Sequence, residues 1–192
     1  MKKILIGTHN KGKFREISYL ISKKYRKINP INLKIPSPVE NGKTFSANSK
    51  LKANFFSRYV DFPVISDDSG LCIKSLNQKP GIYSARLAKK CGSFNNAMKY
   101  ILKKMRNKKN RSATFICSLS FKIPKKKIIN VEGKINGKIS HKILGKKGFG
   151  YDPIFIPNNH EKTFGEMQKN NKMKIDHRFK AFQKLKKKIS TL

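Results

Sequence analysis

Two periodicities alternate along the chain, and each change from one to the other marks a new element. Lys3 to Gly7 is a short apolar run closed by glycine, which predicts a strand. From about Lys11 to Lys24, Phe14, Ile17, Leu20 and Ile21 recur at helical spacing, so Thr8 to Gly12 forms a loop joining a strand to a helix. Ile31 to Ile35 predicts a second strand, closed by Pro36-Ser37-Pro38. Thr44 to Tyr59 predicts a helix with Thr44 or Ser46 as its cap. The apolar run Phe62 to Ile65 leads through Ser66 into Asp67-Asp68-Ser69-Gly70, and Leu71-Cys72-Ile73 resumes the apolar character. The two carboxylates are therefore expected at a strand end or in a tight turn.

Beyond the turn at Pro80-Gly81, Met98, Ile101, Leu102 and Met105 give one face to a helix over Asn95 to Lys104. Ala113 to Phe121 and Lys127 to Ile135 predict long strands around a Pro124-Lys125 turn, an antiparallel pair. Phe149 to Pro153 is a glycine and aromatic loop running into Ile154-Phe155-Ile156. From Lys172 to the end, Ile175, Phe179, Phe182, Leu185 and Ile189 give an amphipathic helix. No internal repeat interrupts this succession, so residues 1–192 are expected to form one α/β domain.

Composition narrows the picture. Three cysteines, Cys72, Cys91 and Cys117, have no paired spacing, which excludes a disulfide framework or a zinc site as the organising feature. The basic start loses its apolar run after three residues, and no later stretch is long enough to span a membrane, so a cytoplasmic protein is expected. A net charge of +35 invites a nucleic-acid partner. The lysines, however, are spread along nearly the whole chain, which is also rich in Asn and Ile. A bias in residue usage accounts for the charge, and specific nucleic-acid binding is not expected.

Three constellations carry chemistry. Gly7-Thr8-His9-Asn10-Lys11-Gly12-Lys13 sits between strand and helix, where backbone N–H groups and Lys13 can cradle phosphate. Its spacing satisfies G-x-x-x-x-G-K, but Phe14 stands where a P-loop needs a hydroxyl for its metal. Asp67-Asp68 offers hard oxygens to a divalent cation and a water. With ten acids in 192 residues, about half an adjacent pair is expected by chance, so the pair gains weight only from its apolar flanks. Lys172 and His177-Arg178 can meet phosphate and a purine keto oxygen, and Phe149 and Tyr151 beside Gly150 can stack on a base.

Together these stretches resemble the inosine and xanthosine triphosphate pyrophosphatase family. The resemblance rests on Thr8 to Glu16, Ser66 to Leu71, Pro80 to Arg86, Gly148 to Phe155, and Lys172 with His177-Arg178, in that order along nearly the whole chain. It implies an elongated, two-lobed mixed α/β fold with the active site in a central cleft. It also implies a homodimer, and a Mg²⁺-dependent hydrolysis of ITP, dITP and XTP to the monophosphate and pyrophosphate. Carried over by position, Thr8, His9, Asn10, Lys11, Gly12 and Lys13 hold the triphosphate, with Lys52 and Lys172 offsetting its charge. Asp68 and Glu40 bind the metal, Asp68 takes the proton from water, and Asp67 supports the site. Ser69, Phe149, Gly150, Tyr151, Asp152, His177 and Arg178 complete the nucleotide pocket.

Two positions depart from the family pattern. Ala47 stands where a glutamate is usual, and Asp176 where a serine is usual, although Asp176 also suits the cap of the last helix. The alternatives from other classes are a basic nucleic-acid-binding protein and a P-loop-like nucleotide kinase.

Overall fold

The computed structural model describes residues 1–189 and divides the chain into two compact units. Unit 1 comprises Met1–Asp68, Cys117–Gly133 and the chain from Arg178 on; unit 2 comprises Ser69–Ile116 and Lys134–His177. The described residues form a mixed α/β structure whose seven strands run in the order β2-β1-β3-β5-β6-β7, with β4 on β3. These strands are β1 (Lys2–Ile6), β2 (Tyr25–Ile28), β3 (Val64–Ile73), β4 (Lys79–Pro80), β5 (Ser112–Lys122), β6 (Ile129–Ile139) and β7 (Phe155–Pro157).

In unit 1, β1 pairs in parallel with β2 and with β3, Leu5 standing opposite both Ile28 and Val64. Successive residues of a strand face opposite sides, and β1 uses both. Ile4 and Ile6 join Ile17, Ile65, Leu119, Phe182 and Leu185 in one core cluster, whereas Leu5 joins Ile35, Phe56 and Val64 in another. Helices α1 (Lys11–Leu20) and α6 (His177–Lys188) supply the first cluster, and α2 (Phe45–Phe56) supplies the second. Thr44 caps α2 by accepting from Ala47 N–H, as one of the two expected caps.

In unit 2, α3 (Ser84–Lys90) and α4 (Phe94–Lys104) pack with the sheet around Leu71, Ile73, Ile101, Phe115, Tyr151, Phe155 and Phe164. The predicted face of α4 is the buried one, with Met98, Ile101 and Met105 inside. A short helix, α5 (Lys169–Met173), lies near the end of this unit.

Three expectations are corrected. Residues 30–33 form a 3₁₀ turn, not a strand, because Asn29 accepts from Ile31 N–H, Pro30 fixes the first position and Lys34 closes it in a left-handed conformation. The strand in this region is β2, which ends at Ile28. The segment after Lys172 is not one helix: α5 ends at Met173 and α6 begins at His177, with the fully buried Asp176 just before it. Ser190, Thr191 and Leu192, to which that helix was extended, lie outside the described residues. Finally, Asp67 and Asp68 occupy the middle of a ten-residue strand, not its end. Polar residues in such a strand read as a turn unless partners from distant elements meet them, as Lys13 and Arg178 meet Asp67 and Asn48 meets Asp68. Among the described residues no helix is long and apolar enough to cross a membrane.

Candidate functional site

Unit 1 gathers its ionisable residues around β3. The strand's alternation sends Asp67 to the side of α1 and α6, and Asp68 to the side of α2. Asp67 Oδ2 lies 3.1 Å from Lys13 Nζ and 3.6 Å from Arg178 Nε, while Arg178 Nη1 lies 2.8 Å from Glu16 Oε2. Asp68 Oδ2 accepts from Asn48 Nδ2 at 3.0 Å. Lys52, one turn further along α2, pairs with Glu40 at 2.7 Å.

The two aspartates differ in proton affinity. Burial alone would push Asp67 up, but Lys13, Arg178 and Lys52, with the hydrogen bond from Lys13, pull its carboxyl down to about 2. Asp68 goes the other way: burial pushes it up and Glu40 adds to the push, and Lys13, Lys52 and Asn48 offset this only in part. Burial opposes the charge on Lys52, yet Asp67, Glu40 and Asp68 together raise its pKa. Three cations, Lys13, Lys52 and Arg178, thus face four carboxylates, Glu16, Glu40, Asp67 and Asp68.

The phosphate loop lies between β1 and α1. Asn10 caps α1, its Oδ1 accepting from Gly12 N–H at 2.9 Å and Lys13 N–H at 3.0 Å, and Thr8 Oγ1 accepts from Asn10 N–H at 3.2 Å. Several N–H groups expected to face a phosphate are therefore satisfied inside the loop. Of the loop's side chains, Lys13 is half-buried and Lys11 exposed, while Thr8 is buried. His9 Nε2 donates to Ile35 O at 2.9 Å. Phe14, at the position where a P-loop needs its hydroxyl, packs against the core of unit 1.

Unit 2 contains a different arrangement. Lys172 Nζ lies 2.6 Å from Asp152 Oδ2 and within 5.2 and 5.5 Å of the Phe149 and Phe164 ring centres, all with Lys172 only 3% exposed. Asp152 Oδ2 also accepts from Phe149 N–H at 2.8 Å, which folds residues 148–152 around the carboxylate. Gly148 adopts φ +73°, and a Cβ there would collide with that same oxygen. Tyr151 is buried edge-on against Phe94, and its hydroxyl donates to Ser84 O at 2.9 Å. Burial pushes that phenol up, so it stays a donor. Of the two aromatics expected to meet a base, only Phe149 keeps partial exposure beside Gly150. His177 stacks on Phe115 with ring centres 4.8 Å apart and planes 10° apart. Ser69 is half-buried on β3, where unit 2 begins.

The structure therefore brings Lys13, Glu40, Lys52, Asp67, Asp68 and Arg178 together in unit 1, and Phe149, Asp152 and Lys172 together in unit 2. His177 and Arg178 are adjacent in sequence, but they face different surroundings. Sequence reading assigned no role to Asn48, whose only signal was that it keeps the Asn of the family pattern Thr-Phe-x-Glu-Asn-Ala in the stretch Thr44 to Ser49. It also assigned no role to Glu16, whose only signal was a place in the stretch that resembles the family. A groove in unit 2, lined by Lys147, His160, Lys162, Gln168 and Lys174, includes none of the expected site residues. Among the described residues there is no group of three or more His, Cys, Asp or Glu side chains able to hold a metal. The candidate donors are accordingly the two carboxylates Asp68 and Glu40, and Ala47 adds none.

An α/β frame that sets buried carboxylates among lysines and an arginine is equipment for handling phosphate with a divalent cation. The chain belongs to the Ham1 family, whose model matches residues 4–188. It is 36% identical over 187 residues to a dITP/XTP pyrophosphatase of Zymomonas mobilis, covering 95% of this chain and 90% of the relative. With a dITP/XTP pyrophosphatase of Oceanobacillus iheyensis it shares 39% identity over 197 residues, covering both chains completely. The solved structure of the Ham1 protein of Staphylococcus aureus superposes with a TM-score of 0.87 at 33% identity, over 98% of each chain.

Proposed function

We propose that this chain hydrolyses the α–β phosphoanhydride of non-standard purine nucleoside triphosphates, ITP, dITP and XTP, to the monophosphate and pyrophosphate. The observation that carries the reading is the unit 1 cluster, where the buried Asp67 and Asp68 of one strand stand among Lys13, Lys52 and Arg178, with Glu40 on Lys52 and Asn48 on Asp68. Glu40 adds to the proton affinity of Asp68, so the two carboxylates lie near enough to feel each other, with Lys52 acting on both. Hard oxygen donors limited to two carboxylates fit Mg²⁺, which keeps several waters and takes its remaining ligands from substrate phosphates. Bound by Asp68 and Glu40, Mg²⁺ would neutralise charge on the phosphate oxygens.

The chain's own residues supply the rest. Thr8, His9, Asn10, Lys11, Gly12 and Lys13 hold the triphosphate, with Lys13 and Lys52 offsetting the charge that develops as pyrophosphate leaves. Asp68 accepts the proton from the attacking water. Asp67, held ionised by Lys13 and Arg178, fixes the direction of the Lys13 ammonium. Ser69, Phe149, Gly150, Tyr151, Asp152 and Lys172 form the pocket for the rest of the nucleotide. His177 and Arg178 donate to a purine keto oxygen, Arg178 while held by Glu16 and Asp67. An amino group at that position would set donors against donors, at about 1–3 kcal/mol for each buried group left unpaired. The same reading makes it a cytoplasmic homodimer without a specific nucleic-acid partner, its Cys72, Cys91 and Cys117 outside any disulfide.

The test is to incubate the protein with Mg²⁺ and ITP and separate the products. IMP and pyrophosphate are expected. IDP with phosphate, or transfer of the γ group, would replace the reading with that of a kinase or phosphatase. Strongly salt-dependent RNA binding without hydrolysis would replace it with that of a nucleic-acid-binding protein.

A further inference from the structure

Glu40 lies in a segment without regular secondary structure, residues 35–44, yet three points fasten that segment inside unit 1. His9 donates to Ile35 O, Lys52 pairs with Glu40, and Gly42 N–H donates to Asn48 Oδ1 at 2.8 Å. The last of these involves a residue outside the set already assigned. Asn48 is fully buried, and its amide is divided between two elements: Oδ1 takes the Gly42 N–H, and Nδ2 gives to Asp68 Oδ2 at 3.0 Å. Its orientation is fixed by chemistry, because a backbone N–H only donates and an ionised carboxylate only accepts. At Gly42 a Cβ would lie 2.5 Å from Asn48 Oδ1, so the close approach requires glycine.

The helix carrying Asn48 is itself anchored. Ser46 Oγ donates to Asn130 Oδ1 at 2.8 Å, and Ser49 Oγ lies 2.9 Å from both Ser118 and Ser120 Oγ on β5. Asn130 Nδ2 donates into the same group. Buried hydroxyls and an amide thus grip α2 immediately on both sides of Asn48.

We infer that Asn48 is a positioning residue that sets the placement of Glu40 relative to Asp68, one amide holding the loop of the first and the carboxylate of the second. The inference rests on the reading of Asp68 and Glu40 as the metal carboxylates. Asn48 touches neither metal nor substrate; it acts through both ligands at once.

Mn²⁺ serves as the probe, titrated into the full chain without nucleotide and followed by electron paramagnetic resonance. Steady-state ITP hydrolysis and hydrogen exchange at the Gly42 amide complete the set. Loss of a residue that orients metal ligands costs about 10- to 100-fold in metal affinity or activity. Asn48→Ala should weaken Mn²⁺ binding by that factor and lower kcat at saturating Mg²⁺, while the KM for ITP stays near that of the wild type. It should also release the Gly42 amide to exchange.

Gly42→Ala, which leaves Asn48 in place but pushes on its Oδ1, should weaken Mn²⁺ binding in the same direction, and it carries the test if Asn48→Ala does not fold. Asp68→Asn is the control. If Asp68→Asn loses Mn²⁺ while Asn48→Ala and Gly42→Ala keep wild-type affinity, the inference is overturned and the metal reading stands. If Asp68→Asn binds Mn²⁺ as the wild type does, the metal reading itself falls, and the inference with it.

Discussion

The two ionisable clusters solve different problems. In unit 1, neighbouring carboxylates share a set of cations yet differ in chemistry: Lys13, Arg178 and Lys52 drive Asp67 down to about 2 against its burial, while burial drives Asp68 up. In unit 2, one cation faces one carboxylate, Lys172 against Asp152, framed by the Phe149 and Phe164 rings. Two adjacent carboxylates held at different proton affinities divide their work, one staying charged while the other can take a proton. A balanced pair among flat rings instead fixes the shape of a loop, the arrangement suited to recognising a base and not to moving a proton.

The sharpest break in this contrast is Asp68→Asn. It keeps the size of the side chain but removes the carboxylate, and pyrophosphate release from ITP should fall by about 10³-fold or more. Because burial already disfavours the charged form of Asp68, the variant should be at least as stable to urea as the wild type. Near-normal turnover would end the assignment of Asp68. Next in size, Lys172→Met should strand a buried Asp152 carboxylate and cost about 3–5 kcal/mol in urea unfolding, most of it recovered by adding Asp152→Asn. If Lys172→Met costs no more than a surface lysine change, the pair is not the clamp of unit 2.

A smaller effect separates the clusters by pH. The Asp67 carboxyl is lowered from an ordinary 3.8 to about 2, so the stability it confers is present above about pH 4 and lost as pH falls through 2. The shift corresponds to about 2 kcal/mol. Urea midpoints followed between pH 5 and pH 2 should show that loss, and Asp67→Asn should remove it. Least in magnitude, His177→Ala should reduce the preference for ITP over ATP in kcat/KM by about tenfold, the worth of one unpaired donor. An unchanged ratio would take His177 out of base recognition.

Much of the frame was legible in the sequence because burial leaves a period. β1, α1, α2, α4 and the β5–β6 pair follow from apolar spacing, and the Thr44 cap from its side chain. Illegible features depended on partners distant in sequence. Nothing local distinguishes a turn from a strand at Ser66 to Gly70; Lys13 and Arg178 on one side and Asn48 on the other decide it. The 3₁₀ turn at 30–33 carried its own signal, Asn-Pro at the start, outweighed by an apolar count. At the site, the acids and lysines were legible as residue types, but Asn48 was not, since its role is one of geometry. Likewise, Tyr151 reads as an exposed stacking ring but is committed to Ser84 O.

The pairing of the buried cations also limits how this composition can drift. A chain with 45 Lys and Arg against 10 acids accepts lysine almost anywhere on its surface. It cannot accept one at Glu16, Glu40, Asp67 or Asp152, because each of these holds a lysine or arginine, at most half-buried Lys13 among them, that would otherwise face like charge. Those few acids are fixed points in a sequence free to change around them. Variants that strip surface lysines should therefore be tolerated in number, whereas a single acid-to-lysine change at any of the four should not.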